Sequence, residues 1–268
     1  AGAAMAPVPG KAARKATAFA LIGDRYHNSD YIRIALTRTI VKELDVAIDF
    51  TDETSLLNAE TLDGYKVLIV LRDGMLWPDG YGGDESTNAA WVATGRPRLV
   101  SDPPLPQVRA RSEYWMKLEQ GKAVRQFVDA GGGALFLHNT TNVSLADPDF
   151  RHVMGGAYIG HPPIRTFKVK VTNPDHPVTQ GVRDFVVTDE QHYMIYDKGP
   201  KFLFLQTVNE DGLTYQSYGA TAPGGWAYDY GKGRVCYMSP GHMLTNLWNP
   251  EYVKLQHNAV RWIMRQKA

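Results

Sequence analysis

The sequence predicts an α/β fold in which helices cover both faces of a doubly wound, mainly parallel sheet. Apolar runs typical of buried strands occur at residues 17–23, 46–50, 66–71 and 134–137. Helical patterns at residues 30–44 and 114–130 lie between these runs, and three glycines at 131–133 end the second pattern. Strands that alternate with helices across short connections favour a parallel sheet.

The first helical pattern can be predicted in more detail than the others. Ser29 is placed to cap its amino end, because a serine side chain can accept a hydrogen bond from the first helical turn. The inward face is predicted to consist of Tyr31, Ile34, Ala35, Ile40, Val41 and Leu44.

The second half of the chain contains closely spaced strand-like runs, which predict a β-rich C-terminal extension. Strand-like runs cover residues 166–171, 184–187, 202–208, 226–230 and 234–238. We expect these strands to form hairpins layered onto the α/β core, with a turn at Gly231-Lys232-Gly233. A last amphipathic helix is predicted over residues 250–266.

A single domain over residues 16–268 is simpler than two domains. Residues 1–15 have no hydrophobic pattern and are predicted to form a flexible tail. Their alanine-rich composition favours a protein exported to the periplasm over a cytoplasmic one. Residues 74–112 are rich in glycine and proline and interrupt the α/β pattern, so we interpret them as an insertion that covers a site or packs on the surface.

Composition excludes several classes of function. Hydrophobic residues make up 44% of the chain and charged residues 21%, which argues against disorder. The formal net charge is +1 and no block of lysine or arginine is present, so nucleic acid is not an expected partner. No apolar window is long enough to predict a membrane span. The one cysteine, Cys236, cannot form an internal disulfide.

Polar residues follow several predicted strands, and three of these strand ends carry a histidine. In open parallel sheets, ligands bind outside the carboxyl ends of the strands. The residues in question are Arg25 and His27 after the first strand, Arg72 after the third, His138 and Asn139 after the fourth, and His242 after a late strand. We therefore expect these side chains to converge on one pocket, although a single such histidine could also serve only to satisfy buried carbonyl groups.

Two further segments carry candidate groups. Glu190 and His192 lie in the sequence Asp-Glu-Gln-His, where a carboxylate and an imidazole can act as acid and base with different pKa values. His161 follows Gly160, a residue that allows a close approach of backbone to ligand. Motifs for nucleotide binding, for a helical zinc site and for a serine nucleophile are absent from the sequence.

The motifs in their order resemble the ThuA-like (trehalose utilisation) proteins over nearly the whole folded chain. The resemblance rests on GGGALFLHN at 131–139, GGAYIGHPP at 155–163, NPDHPVTQGV at 173–182, DEQHY at 189–193, GKGRVCYMSPGH at 231–242 and NAVRWIM at 258–264. It implies a class I glutamine-amidotransferase-like fold with a flavodoxin-like sheet. It also implies a role in carbohydrate metabolism, often linked to 3-keto-sugars.

The resemblance does not imply amidotransferase chemistry. Amidotransferases of this fold need a cysteine at the turn after the strand, and here that position is His138, while Cys236 belongs to a different strand. We therefore expect Cys236 to play no part in catalysis.

Three functions remain open at this stage. The first is an enzyme that uses acid/base chemistry on a sugar or 3-keto-sugar, with His138, Glu190, His192, His27 and His242 as catalytic residues. Its predicted substrate-binding residues are Arg25, Arg72, Asn139, Trp77, Tyr81, Trp91 and His161. The second is a non-catalytic sugar-binding or accessory protein. The third is a metal-dependent variant in which the histidines bind Zn²⁺ or a similar ion. A small-molecule carbohydrate is the expected partner in each case, and a homo-oligomer is compatible with the sequence.

Overall fold

A computed structural model describes residues 16–78, 102–104 and 111–266 of the chain. Thirteen strands are found in these residues, and nine of them form one sheet in the order β2-β1-β3-β6-β13-β12-β11-β8-β9. The strands are β1 (Ala18–Ile22), β2 (Ile48–Thr51), β3 (Val67–Leu71), β4 (Met75–Leu76), β5 (Glu113–Tyr114), β6 (Gly133–Leu137), β7 (Gly156–Gly160), β8 (Arg165–Val171), β9 (Phe185–Asp189), β10 (Tyr193–Tyr196), β11 (Leu203–Val208), β12 (Thr221–Tyr230) and β13 (Gly233–Met238).

The α/β half of the sheet confirms the predicted fold class. The four strands predicted first are β1, β2, β3 and β6, and every pairing among them is parallel. Every residue of β1, β3 and β6 is buried, which explains why these strands are apolar on both faces.

The C-terminal strands extend this sheet instead of forming a separate layer over it. β13 lies parallel to β6, so a strand from the end of the chain becomes the fifth member of the parallel half. β12, β11, β8 and β9 then continue the sheet in antiparallel order. Because β13 runs parallel to β6, the loop after β13 opens at the same edge of the sheet as His138.

The helices cover both faces of the sheet. They are α1 (Ser29–Leu36), a π-helical segment (Thr37–Val41), α2 (Lys42–Leu44), α3 (Ala59–Leu62), α4 (Leu118–Asp129), α5 (Pro148–Met154), α6 (Leu244–Leu247) and α7 (Pro250–Ile263). Helices α1 and α7 pack on one face, and α4 and α5 pack on the other. None of the helices in the described part of the chain is both long enough and apolar enough to cross a bilayer.

The first helix corrects two details of the prediction. Its N-cap is Asn28, not Ser29, and the Asn28 side chain accepts hydrogen bonds from the backbone N–H of Asp30 and Tyr31. Tyr31 and Ile34, which were expected to face inward, are more than half exposed. Ile32 and Leu36 are buried instead, and the π-helical turn that follows changes the helical period, so a regular 3.6-residue pattern places the wrong face inward.

The second helix begins later than predicted, at Leu118 instead of residue 114. Residues 113–114 form β5, which pairs with β4 and so joins the two ends of the segment predicted as an insertion. Most of that segment, including Tyr81 and Trp91, lies outside the described residues, and so does the predicted tail at residues 1–15.

Candidate functional site

Six polar side chains meet at the carboxyl edge of the parallel strands. They come from separate segments: His27 from the loop after β1, His138 from the end of β6, His161 from the loop after β7, Glu190 and His192 from the loop after β9, and His242 from the loop after β13. The structure thus brings together the five residues that were predicted to be catalytic, and His161 with them. We call this group the histidine cluster.

One oxygen atom of Glu190 lies at the centre of the cluster. Its Oε2 is 3.3 Å from His192 Nε2 and 3.3 Å from His242 Nδ1. The same oxygen is 3.4 Å from His138 Nε2 and 3.6 Å from His161 Nε2. Four imidazole nitrogens therefore surround a single carboxylate oxygen.

The orientation of His138 is set by its backbone conformation, its burial and one hydrogen bond. Its backbone has a φ of 48°, in the left-handed region that few residues other than glycine adopt. Its side chain is fully buried, and its Nδ1 lies 2.8 Å from the carbonyl oxygen of Ser239. Because Nδ1 donates its proton to that carbonyl, the lone pair of Nε2 points into the cluster. The Nε2 atom is buried and has no hydrogen-bond partner among the described residues.

His27 is oriented by a carboxylate that sequence analysis did not single out. Its Nδ1 is 2.8 Å from Oδ1 and 3.0 Å from Oδ2 of Asp24, and its Nε2 faces His242 Nδ1 at 3.0 Å. The Asp24 carboxylate also accepts hydrogen bonds from Asn139 Nδ2 and from the backbone N–H of Asp73. Burial alone would raise the pKa of Asp24, but these partners lower it to about 2. The predicted ligand-binding residue Asn139 therefore contacts the site through Asp24.

A second unforeseen carboxylate, Asp189, holds the loop after β13 in place. Its two oxygens accept the backbone N–H groups of Gly241 at 2.8 Å and His242 at 3.1 Å. It also accepts the backbone N–H of Glu190 at 2.8 Å. The Asp-Glu-Gln-His motif was visible in the sequence, but only the fold shows that Asp189 positions the loop after β13.

The environment shifts the pKa values of the cluster in different directions. Burial would lower the pKa of His138, but Glu190 and Asp189 outweigh it and raise the pKa. Burial and the neighbouring His138 hold the pKa of His192 well below its usual value. Burial disfavours the Glu190 carboxylate, yet the neighbouring His138, His192 and His242 keep its pKa below the usual range.

The residues predicted to bind substrate do not all lie in the histidine cluster. Arg72 is buried, and one of its guanidinium nitrogens donates to the backbone carbonyls of Gly23 and Asp52, so it ties together the ends of three strands. Arg25 stacks over Trp77 at 4.2 Å from the ring centroid. Substrate contacts by these residues stay predictions, as do those of Tyr81 and Trp91, which lie outside the described residues.

Asp73, which follows Arg72, is a further buried acid beside the site. Its Oδ1 accepts the backbone N–H of Met75, and its backbone carbonyl accepts the indole N–H of Trp115. Burial and the nearby Asp24 carboxylate raise the pKa of Asp73 to about 7. An acid with this pKa can both give and take a proton near neutral pH.

Two sets of groups in the cluster have the arrangement needed for a metal ion. One set is His27, His138, Glu190 and His242, and the other is His161, Glu190 and His192. Within each set, the potential ligand atoms lie within 4.8 Å of one another. Imidazole nitrogens with one carboxylate oxygen are typical ligands of Zn²⁺ and related ions.

Comparison with known proteins identifies the family of the chain. The family described as "ThuA: Trehalose utilisation" matches residues 107–263, which include His138, His161, Glu190, His192 and His242. The chain belongs to the ThuA family. The predicted resemblance is therefore confirmed, and His27 lies before the matched region.

Solved structures agree with the assignment to the ThuA family. A ThuA-like protein from Bacteroides uniformis has a TM-score of 0.61 and 19% identity, with 96% of this chain and 95% of that chain covered. One from Parabacteroides merdae has a TM-score of 0.65 and 14% identity, with 94% and 92% covered. A β-galactosidase from Bacillus circulans sp. alkalophilus has a TM-score of 0.52 and 11% identity; 94% of this chain aligns with 31% of that one. At these identities the likeness concerns the fold, and no curated protein matches the chain.

Proposed function

We propose that this ThuA-family protein is an enzyme that transforms a sugar or a 3-keto-sugar by proton transfer at the histidine cluster. The observation that carries the proposal is the surrounding of Glu190 Oε2 by four imidazole nitrogens at 3.3–3.6 Å. A role that needed only sugar binding would not require so many buried titratable groups around one atom.

The pKa shifts support acid/base chemistry. His138 is biased toward its protonated form and His192 toward its neutral form, although their rings stack at a centroid distance of 4.1 Å. Neighbouring groups whose pKa values are moved apart are suited to act as acid and base. A keto group acidifies the neighbouring C–H bond, so a 3-keto-sugar is a substrate on which such a pair can act.

The outer side of the cluster is the side from which a sugar can enter. The side chain of His161 is 29% exposed, whereas those of His138 and His192 are at most 3% exposed. His161 Nδ1 donates to the carbonyl oxygen of Pro162 at 2.8 Å, which leaves Nε2 free to exchange a proton with a bound hydroxyl group. We therefore assign His161 to substrate contact, and His138 and His192 to the interior of the site.

The test is a turnover assay with a panel of disaccharides, trehalose among them, and their 3-keto derivatives. Products are followed by mass spectrometry and by NMR in D₂O, which also reports exchange of the hydrogen next to the keto group. We expect consumption of at least one member of the panel, and loss of that activity in Glu190→Gln.

Glu210→Gln is the matched control because Glu210 is exposed and pairs with Lys168 on the surface. Its activity should equal that of the wild type. Sugar binding without turnover or hydrogen exchange across the panel would refute the proposal and favour a sugar-binding protein.

A further inference from the structure

The contacts of Glu190 Oε2 with its neighbouring histidines are longer than charged hydrogen bonds usually are. A charged hydrogen bond between an imidazole and a carboxylate is about 2.7–2.9 Å long. The distances from Glu190 Oε2 to His138 Nε2 and His242 Nδ1 are 3.4 and 3.3 Å, and His242 Nδ1 lies 3.0 Å from His27 Nε2. The contacts of Glu190 Oε2 with His138 Nε2 and His242 Nδ1 are therefore longer than well-made charged hydrogen bonds, whereas His242 Nδ1 and His27 Nε2 lie at an ordinary hydrogen-bond distance.

The two distances from Glu190 Oε2 match the edges of a metal coordination shell. Bonds of about 2.0–2.1 Å around a tetrahedral zinc ion place the ligand atoms about 3.3–3.4 Å apart. We propose that His27 Nε2, His138 Nε2, His242 Nδ1 and Glu190 Oε2 bind one Zn²⁺ ion or a similar divalent transition metal. This proposal concerns the site of the proposed function, but it is tested by metal binding and does not require turnover.

Neighbouring groups give two of these ligands the correct tautomer. Asp24 accepts the Nδ1 proton of His27, and the Ser239 carbonyl accepts the Nδ1 proton of His138, so both Nε2 lone pairs are directed into the cluster. Metal-binding histidines usually donate their other N–H to a carboxylate or a carbonyl in this way. The buried His138 Nε2 has no hydrogen-bond partner among the described residues, and a metal at this place would coordinate its lone pair.

The alternative set of His161, Glu190 and His192 is less well prepared. It offers three ligands instead of four, and His161 is partly exposed. His192 Nδ1 is buried and has no hydrogen-bond partner among the described residues, so no second group holds the His192 ring with its Nε2 lone pair directed at a metal. The first set therefore holds the metal. With the metal bound, His138 is a ligand, and His161 and His192 are the groups left for proton transfer.

A metal in this position adds to the proposed chemistry. Three neutral imidazoles and one carboxylate leave a divalent ion with a net charge of +1, which attracts a keto or hydroxyl oxygen of a sugar. Zinc at catalytic sites can accept such an oxygen as an additional ligand and polarise it. The extended network from Asn139 through Asp24 to His27 would keep the ligand set rigid while this happens.

The experiment measures Zn²⁺ binding to the chelator-treated protein. Stoichiometry comes from elemental analysis after gel filtration, and affinity comes from competition with a chromophoric chelator. We expect one Zn²⁺ per chain, with affinity at least 100-fold lower in His27→Ala, His138→Ala, His242→Ala and Glu190→Gln. His152→Ala is the control, because His152 pairs with Tyr230 away from the cluster.

Two further variants keep the result clear if an alanine variant does not fold. Asp24→Asn retains a hydrogen-bonding side chain but weakens the orientation of His27, and it should lower Zn²⁺ affinity about 10- to 100-fold. His161→Ala should bind Zn²⁺ as the wild type does. Less than one-tenth of an equivalent of Zn²⁺ in the wild type, or a loss of binding in His161→Ala equal to that in His27→Ala, would overturn the proposal.

Discussion

His138 shows how a single backbone conformation can place a reactive group. The turn after a buried strand puts it at the sheet edge, and its positive φ turns the side chain toward the loops after β9 and β13. The same position carries a cysteine nucleophile in amidotransferases of the fold that the resemblance implies. In this chain the cysteine lies in β13, so the turn presents an imidazole and no thiol.

His138→Asn separates the chemical role of this residue from its structural one. Asparagine adopts the left-handed region more readily than most residues, so the turn should be retained. It has no ring nitrogen that can shuttle a proton or bind a metal, and general acid/base catalysis is worth about 100- to 10,000-fold in rate. We expect turnover of the substrate found in the panel to fall at least about 100-fold in His138→Asn and in His138→Ala. Near-normal turnover and metal content in both variants would show that His138 is structural.

The raised pKa of Asp73 predicts that the stability of the folded protein depends on pH. A carboxyl group whose pKa is raised from 3.8 to about 7 on folding contributes most to stability below pH ~4. That contribution is lost as the pH rises through 7, because the folded protein must then hold a buried carboxylate beside Asp24. Asp73→Asn retains an oxygen for the Met75 N–H and removes the charge. We expect it to be more stable than the wild type by about 1–3 kcal/mol at pH 8 and by less at pH 5.

Urea unfolding of the two proteins at both pH values measures this difference. A variant that is less stable than the wild type at pH 8 would show that the Asp73 carboxylate is stabilised by contacts and not by protonation.

At the level of single residues, the sequence was informative about the ends of the strands. It singled out His27, His138 and His242 because parallel strands all deliver their carboxyl ends to one edge. It could not identify Asp24 and Asp189 as supports, because their partners other than the nearby His27 and Glu190 lie 49 to 115 positions away in the chain. Arg72 illustrates the same limit, since only the fold shows that backbone carbonyls accept its hydrogen bonds.

At the level of elements, β13 connects the core of the sheet to the site. Its pairing with β6 brings Ser239 and the loop that carries His242 next to His138. The loop approaches so closely that a Cβ atom on Gly241 would lie 2.8 Å from the Cβ atom of His138. Such a distance is shorter than real Cβ contacts allow, so glycine is needed for the loop to pack against His138.

Gly241→Ala should therefore impair the site only by displacing His138 and the loop after β13, because it removes no reactive group. We expect turnover and Zn²⁺ affinity to fall at least about 10-fold, because a displacement of the order of 1 Å can cost about 100-fold in rate. Gly199→Ala is the control, since nothing lies within 4 Å of the Cβ atom it would add. Equal effects of the two substitutions on affinity would show that the close approach of Gly241 to His138 is not required.

Cys236 lies inside β13, and we expect its replacement to have only a small effect on turnover. Its side chain is fully buried, and burial raises the pKa of the thiol, so the reactive thiolate is disfavoured. Cys236→Ala should retain turnover within a few-fold and lose about 1 kcal/mol of stability through the smaller side chain. Loss of most turnover, measured with the same substrate as for His138→Asn, would instead assign the thiol a catalytic role.

The elements also show which parts of the fold the sequence could predict. Buried strands such as β3 were recognisable because they are apolar on both faces. The inward face of α1 was predicted incorrectly because the π-helical turn interrupts the helical period. The start of α4 was placed too early because residues 113–114 form a strand that pairs with β4. The hydrophobic pattern also could not predict that β13 lies beside β6, since this pairing depends on contacts between segments about 100 residues apart.

At the level of the whole molecule, the site lies where the parallel and antiparallel halves of the sheet meet. His27 and His138 follow strands of the parallel half, and Glu190 follows β9 at the far antiparallel edge. His242 follows β13, the strand at which the direction of pairing changes. A metal bound by these four residues would link loops from both halves of the chain.

Zinc should therefore stabilise the fold as a whole. A ligand that binds only the folded state at 100 times its dissociation constant adds about 2.7 kcal/mol of stability. For a chain of this size that corresponds to a rise of about 5–10 °C in Tm. Differential scanning calorimetry of the chelator-treated wild type with and without Zn²⁺ should show this rise, His161→Ala should show it too, and Glu190→Gln should not. A Tm that does not change with Zn²⁺, or that rises equally in Glu190→Gln, would mean that the metal does not bind where the two halves of the sheet meet.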